Sequence, residues 1–263
     1  MTFPYVSLPS TSAFNEPFTK SLLEKWDMRK SSKVCVFRYT KYYHRLAGQE
    51  LLLDLFNDPS SQEHLQVMLK DSSWHSLSGE KVLEVEAARV PCSATRMDLF
   101  DRVTDPDQGA EPLLVRGPGG ELVKRMDDVR DGFQIQDNLR EMLLCEESEN
   151  AELYSAAEKN EFLWRLFEHL SLGGPCCQYE DKIAPYLDTT KKLYRELVTV
   201  QRKSGDSDAI EIVSTVFSIK SFKTESGTLA LFPRPSRNSF CYVTIDPMRR
   251  LVKMWYHAHV PFW

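Results

Sequence analysis

The chain lacks the long apolar runs and the patterned cysteines that mark membrane and disulfide-rich proteins. Its densest apolar run, residues 51–56, falls far short of the roughly 18–20 residues that span a bilayer. The N-terminal residues show neither the basic region nor the apolar stretch of a secretory signal. The six cysteines are scattered, as is typical of reduced thiols. We therefore expect a cytoplasmic protein that does not insert into a membrane.

A strong net charge is also absent, which argues against nucleic acid or an anionic membrane as the main partner. The formal net charge is −5, whereas surfaces that bind phosphates are usually strongly basic. The charge is uneven, however, with eleven acidic and three basic residues in 127–161 and seven basic and three acidic residues in 210–263. These segments form solvated faces, or they dock onto each other or onto oppositely charged partners.

No catalytic or cofactor-binding constellation is visible in the sequence. The glycines of residues 116–120 lack the lysine and hydroxyl residue of a phosphate-binding loop. His257 and His259 lie two positions apart and could share one metal ion if the last strand continues, but further ligands are missing nearby. We expect no cofactor, no metal and no catalysis; a metal-dependent enzyme that uses His257 and His259 is the alternative.

Residues 155–174 predict a long amphipathic helix. Ser155 is followed three positions later by Glu158, which is the spacing of a capping box. Gly173, Gly174 and Pro175 then provide a stop signal. Between them, apolar side chains recur at helical spacing, namely Phe162, Leu163, Leu166, Phe167 and Leu170. This stripe predicts one large face buried in the protein core.

A second helix is predicted to begin near Glu180 or Asp181, whose charges suit the positive end of a helix dipole. The joint between the two helices, residues 173–181, is more polar than a helix–helix turn requires. Gln178, Tyr179, Glu180 and Asp181 form its polar cluster. These four residues either cap the helix and pack beneath the turn, or form a partner-binding surface.

The remaining pattern predicts an α+β protein. Helices dominate the expected N-terminal and middle region, whereas the last third reads as an antiparallel β-meander. We expect a single domain over residues 1–263, with a possible sub-boundary in the loop 104–120. The aromatic residues Phe262 and Trp263 either tuck into the sheet or anchor a partner.

Residues 172–200, LGGPCCQYEDKIAPYLDTTKKLYRELVTV, resemble the signature of the cilia- and flagella-associated protein 300 family. Trp26-Asp27-Met28 and Asp246-Pro247-Met248-Arg249-Arg250 also fall where that family has counterparts. The resemblance implies a non-enzymatic protein of the cytoplasm and the cilium or flagellum, including its axoneme. It implies a role in cytoplasmic assembly and ciliary transport of outer and inner dynein arms. The implied partners are dynein-arm assembly factors and ciliary transport machinery, and a permanent structural part of the axoneme is the alternative.

Overall fold

The computed structural model describes residues 1–44, 46–104, 113–203, 205 and 209–260. Within these residues no helix is long and apolar enough to cross a membrane. Several sequence predictions fall wholly or partly outside the described residues. They are the sub-boundary in 104–120, of which 105–112 are not described, a hairpin turn that the sequence of residues 204–208 predicts, and the placement of Phe262 and Trp263.

Short helices and short strands alternate along the chain. The helices are α1 (Pro17–Lys25), α2 (Gly48–Asn57), α3 (Pro59–Gln62), α4 (Asp101–Thr104), α5 (Asn138–Leu144), α6 (Ala156–Asn160), α7 (Phe162–Leu172) and α8 (Ala184–Leu197). The strands are β1 (Ser32–Arg38), β2 (Gln66–Met68), β3 (Trp74–Ser76), β4 (Val82–Val90), β5 (Val115–Arg116), β6 (Glu121–Leu122), β7 (Lys124–Arg130), β8 (Phe133–Asp137), β9 (Val200–Arg202), β10 (Ile210–Ile212), β11 (Thr215–Thr224), β12 (Gly227–Ala230), β13 (Phe240–Asp246) and β14 (Leu251–His257).

A six-stranded antiparallel sheet forms the centre of the molecule. Its strands follow the order β1-β14-β13-β11-β12, and β4 pairs with the other edge of β11. The β13–β14 register places Tyr242 opposite Trp255, and β1 joins from the far end of the chain with Val34 opposite Trp255. The remaining pairs are two-stranded hairpins, β2–β3, β5–β6, β7–β8 and β9–β10.

Both faces of this sheet are buried, and the alternation of side chains along each strand separates two cores. On β11, Val216 belongs to the core under α1, α5, α7 and α8, whereas Phe217 belongs to the core under α2. Tyr242 and Val243 on β13 divide in the same way. Side chains along a strand point alternately to its two faces. A strand with apolar residues in both alternating series is therefore predicted to be covered on both faces, as β11 is.

The prediction of a mostly helical N-terminal and middle region is wrong. Helix accounts for 28% and strand for 30% of the structure, so helices do not dominate. The N-terminal strands β1 and β4 enter the large sheet by pairing with β14 and β11, and the β5–β6 and β7–β8 hairpins occupy the middle. The antiparallel C-terminal strands are therefore only part of a sheet that spans the sequence. The single domain over 1–263 stays a prediction.

The capping box at Ser155 is confirmed, but the helix that follows is shorter than predicted. The Ser155 hydroxyl accepts a hydrogen bond from the backbone N–H of Glu158, and the Glu158 carboxylate accepts one from the N–H of Ser155. The helix breaks at Glu161, since the Phe162 N–H donates to the Pro91 carbonyl at 2.8 Å. The apolar stripe therefore belongs to α7, which begins at Phe162.

Candidate functional site

The joint between α7 and α8, residues 173–181, lies against the end of α1. The backbone N–H of Gly174 donates to the Trp26 carbonyl at 2.8 Å. The N–H of Cys176 donates to the Asp27 carboxylate at 3.0 Å. Asp27 itself adopts a left-handed backbone conformation, φ 53°, which is uncommon outside glycine. The joint is therefore built on residues about 150 positions earlier in the chain.

Two glycines permit this close approach. Gly173 has φ 64°, a backbone conformation that most side chains disfavour. A Cβ atom on Gly174 would lie 2.2 Å from the Asp27 carbonyl oxygen, and one on Gly173 would lie 2.8 Å from the Trp26 carbonyl oxygen. Both carbonyl oxygens are backbone atoms, which cannot rotate away. The glycine pair thus serves contact with α1 as well as helix termination.

A fully buried arginine lies beneath the joint. Arg140 on α5 forms an ion pair with the Asp137 carboxylate, and both side chains have no exposed surface. Its guanidinium also donates to the Ser171 carbonyl at 2.9 Å and to the Tyr186 hydroxyl at 2.5 Å. The same group lies 3.6 Å from the centre of the Tyr179 ring, at cation–π distance. These contacts join α5, α7, the joint and α8 through one side chain.

Burial keeps the ionisable groups around the joint in single protonation states. Burial opposes the charge of Arg140, but the neighbouring Tyr186 and Asp137 outweigh it and raise the pKa of the guanidinium. Burial raises the pKa of the Tyr179 phenol and of the Cys177 thiol to about 12 each. Cys177 thus stays a protonated thiol near neutral pH, whereas a nucleophilic cysteine requires a thiolate.

Two of the four predicted partner-binding residues have side chains that are partly buried against neighbouring elements. Tyr179 packs against Arg140 as described above. The Glu180 carboxylate accepts a hydrogen bond from the Trp26 indole at 3.0 Å and pairs with the Lys25 ammonium at 2.8 Å. Both residues therefore hold the joint in place against its neighbours.

The other two, Gln178 and Asp181, are exposed. The Asp181 side chain is 85% exposed and pairs with the Lys124 ammonium at 2.8 Å. The hydrogen bond and the charge of Lys124 lower the pKa of Asp181. The predicted helix start near Glu180 or Asp181 is wrong, because the Asp181 carbonyl accepts from the Leu122 N–H at 2.8 Å and α8 begins only at Ala184. A partner-binding role for this cluster stays a prediction.

Substitutions in the joint can separate packing from partner binding. We expect Asp181→Asn to leave the melting temperature unchanged, since exposed ion pairs contribute little. Tyr179→Ala removes the ring that covers the buried guanidinium and should cost roughly 2–3 kcal/mol. Tyr179→Phe is the matched control that keeps the ring. Thermal and urea unfolding measure all three, and an Asp181→Asn protein that melts normally but loses its protein partners would make the joint the binding surface.

The histidines proposed as metal ligands lie in the core. β14 ends at His257, and the ring of His259 lies beyond it, 4.7 Å from the Phe133 ring. Nδ1 of His257 lies 3.0 Å from the Ser32 hydroxyl. Among the described residues no group of three or more His, Cys, Asp or Glu side chains is placed to hold a metal ion. As the polar end of the last strand, residues 257–259 are predicted from the sequence to be partly exposed, and this prediction is wrong because both histidines are at most 2% exposed.

Buried imidazoles make the stability depend on pH. Burial lowers the pKa of His169 and of His257 to about 3, whereas in the unfolded chain each should titrate near its ordinary value of about 6.5. Below that pH the unfolded chain binds protons that the native state does not. The free energy of unfolding should therefore fall with decreasing pH, by about 1.4 kcal/mol per pH unit for each histidine.

Urea unfolding between about pH 7 and about pH 5 tests this dependence, because most carboxylates titrate at lower pH. His169→Gln should reduce the slope, and His257 and His259, whose pKa values burial also lowers, should account for the dependence that remains. His44, which is exposed, provides the control, and His44→Gln should leave the slope nearly unchanged. A stability that does not vary over this range would contradict the burial of both rings as neutral groups.

A second candidate site is a cleft of about 590 Å³ beside α8. Its described lining includes Arg96, Lys191, Arg195 and Arg249 and contains no acidic residue. All four cationic side chains are exposed. We call this cleft the basic groove; it lies between α8, the segment before α4, the β9–β10 hairpin and the β13–β14 turn.

Sequence reasoning missed the basic groove because its cations come from three separate parts of the chain. Lys191 and Arg195 are one helical turn apart on α8, which places them on one face. Arg249 belongs to the basic C-terminal segment, residues 210–263. The sequence shows the pair of cations on α8 and the basic C-terminal segment. It does not show that they lie close together, because that depends on the sheet that brings the β13–β14 turn to α8.

Comparison with known proteins places the chain in one family. The profile described as cilia- and flagella-associated protein 300 matches residues 1–257. A protein of that name from Chlamydomonas reinhardtii is 51% identical over 261 residues, covering 99% of each chain. Another from Paramecium tetraurelia is 31% identical over 243 residues, covering 92% of this chain and 88% of the relative. No solved structure matches. The chain belongs to the cilia- and flagella-associated protein 300 family and is thus a protein associated with cilia and flagella.

Proposed function

We propose that this protein acts without catalysis in the cytoplasmic assembly of outer and inner dynein arms, or in their delivery to the cilium. In this role it binds protein partners, namely dynein-arm assembly factors and ciliary transport machinery. It is present in the cytoplasm and reaches the cilium, including the axoneme, with its cargo. It uses no cofactor.

The match to the family over nearly the whole chain is the observation that carries this proposal. The burial of the Cys177 thiol and of the His257 imidazole supports a binding role. The Cys177 thiol has a pKa raised to about 12 by burial, and His257 is buried with a pKa lowered to about 3. A general base or nucleophile needs a pKa closer to the working pH.

Removal of this protein from a flagellated cell tests the proposal. We expect axonemes that lack outer and inner dynein arms in cryo-electron tomograms, together with dynein heavy chains that remain in the cell body. Reintroduction of the wild-type protein should restore both. Axonemes with a full set of both arms in the cell without this protein would overturn the proposal.

Detergent extraction separates assembly from a permanent structural role in the axoneme. An assembly or transport factor should leave with the soluble fraction when the membrane is removed. A structural component should stay with the microtubules and leave only when salt or denaturant dissolves them. Retention of most of the protein in stripped axonemes would therefore contradict the proposed role.

A further inference from the structure

We propose that the basic groove binds an acidic segment of a protein partner that inserts aliphatic side chains between the cations. The inference rests on the proposed function only in that the protein acts by binding other proteins. It adds the site and the chemical class of the ligand. The argument uses three properties of the groove: unpaired positive charge, an accessible apolar wall and a floor of fixed geometry.

The positive charge of the groove is not neutralised within the described part of the chain. The groove is lined by Arg96, Lys191, Arg195 and Arg249. None of the four forms an ion pair with a described residue. Lys192, the next residue on α8, points elsewhere and pairs with Glu16 at 2.9 Å. Four cations in one cleft of a chain with net charge −5 repel one another, and an anionic ligand relieves that repulsion.

One wall of the groove is apolar and open to solvent. Val200 on β9 and Ile210 on β10 are 47% and 46% exposed and both line the cleft. They are among the few large hydrophobic side chains that the structure leaves exposed. An apolar surface bordered by charge is typical of a protein-binding groove. Aliphatic side chains of a ligand would cover these two residues.

The floor of the groove is buried and packed against its neighbours. Leu163 on α7 and Tyr194 on α8 line it and are 1% and 6% exposed. The Tyr194 hydroxyl donates to the Ala94 carbonyl at 2.8 Å, and its ring packs 5.9 Å from that of Phe162. A ligand therefore meets a preformed surface, and little ordering of the protein opposes binding.

An acidic peptide fits this groove better than a nucleic acid. Single-stranded nucleic acids bind proteins through aromatic side chains that stack on the bases. Tyr194 is the aromatic residue among the described lining, and its ring is buried. The exposed apolar residues are aliphatic, which suits the leucine or isoleucine side chains of a peptide.

Binding of a defined probe to the full-length purified protein tests the inference. The probe is a fluorescent helical peptide of Glu and Leu with its leucines on one face, followed by anisotropy. Two matched peptides replace every Glu by Lys or every Leu by Ser. We expect binding of the first peptide only. We also expect it to weaken between about 0.01 M and about 0.15 M ionic strength, because salt screens exposed charges.

Charge reversal locates the binding site. Lys191→Glu/Arg195→Glu should weaken binding about tenfold or more, and Lys191→Gln/Arg195→Gln should weaken it less. The glutamine pair serves as a second variant because acidic residues near the end of α8 oppose its dipole. Lys220, an exposed lysine outside the groove, provides the control, and Lys220→Glu should bind like the wild type. Melting curves confirm that each variant is folded.

Four results would overturn the inference. The first two are equal binding of the Glu and Lys peptides, and unchanged binding of the peptide by both folded groove variants. The third is tighter binding of a single-stranded oligonucleotide than of the peptide. The fourth is a dimer of this protein that the groove substitutions dissociate. The last result would make a second copy of this chain the occupant. None of them bears on dynein arms in cells that lack the protein, so failure here is distinct from failure of the proposed function.

Discussion

Replacement of Arg140 by methionine should destabilise the protein by about 3–5 kcal/mol, because it breaks a buried ion pair and leaves one partner charged. Methionine fills much of the space of the arginine but cannot neutralise Asp137, which has no exposed surface. The Ser171 carbonyl and the Tyr186 hydroxyl also lose their donor. Urea unfolding of the purified protein measures the loss.

A double variant shows whether the charge itself is the cause. Asp137→Asn/Arg140→Met removes both charges, and asparagine can still cap α5, where the Asp137 carboxylate accepts from the Arg140 N–H at 2.9 Å. We expect the double variant to regain much of the lost stability. Arg130→Met breaks an exposed ion pair with Glu147 and should change nothing measurable. A single Arg140→Met variant as stable as the wild type would mean that this arginine is not the centre of the joint.

The Phe167→Ala substitution should cost roughly 3–5 kcal/mol, since it opens a cavity in the core under α7. The Phe167 side chain has no exposed surface. Its ring lies 4.7 Å from that of Phe100 and 5.6 Å from that of Trp164. These rigid aromatic neighbours cannot collapse to fill the space. Thermal unfolding or urea unfolding gives the loss directly.

Phe18 provides a matched control for this substitution. It lies on α1 with 57% of its surface exposed, so Phe18→Ala should stay within about 0.5 kcal/mol of the wild type. If Phe167→Ala had an equally small effect, the apolar stripe of α7 would not be the core face that its spacing predicts. That helix would then become a candidate binding surface.

The features predicted correctly from the sequence depend on local chemistry. The Ser155 capping box joins residues three positions apart, and the stripe of α7 follows helical spacing, so a short window contains each signal. The two covered faces of β11 also follow from its own residues. Local patterns of this kind predict elements well but do not show which elements meet.

The features missed depend on distant pairing or on strands too short for a pattern. β5 and β6 contain two residues each, which is too short for a pattern. β7 is exposed along its whole length, so it lacks the alternation of apolar and polar residues that marks a half-buried strand. The addition of β1 to β14 joins opposite ends of the chain. Because of these strands, sheet occupies a region that the sequence predicts to be mostly helical.

In the candidate site, too, the sequence reveals local features but not the contacts between distant residues. The sequence shows that the joint is unusual, because a turn between two helices does not require the polar residues Gln178, Tyr179, Glu180 and Asp181. It could not show that Arg140 lies beneath Tyr179, or that Glu180 bonds to Trp26 from α1. The basic groove depends on three chain segments that meet only in the folded protein.

We propose that this protein serves dynein-arm assembly by holding an acidic partner in the basic groove. The most direct test counts outer and inner arms in tomograms of a flagellated cell that lacks the protein and receives one variant at matched expression. Wild type and Lys220→Glu should restore both arms, whereas Lys191→Glu/Arg195→Glu should leave them depleted. Full restoration of both arms by the groove variant would contradict the claim.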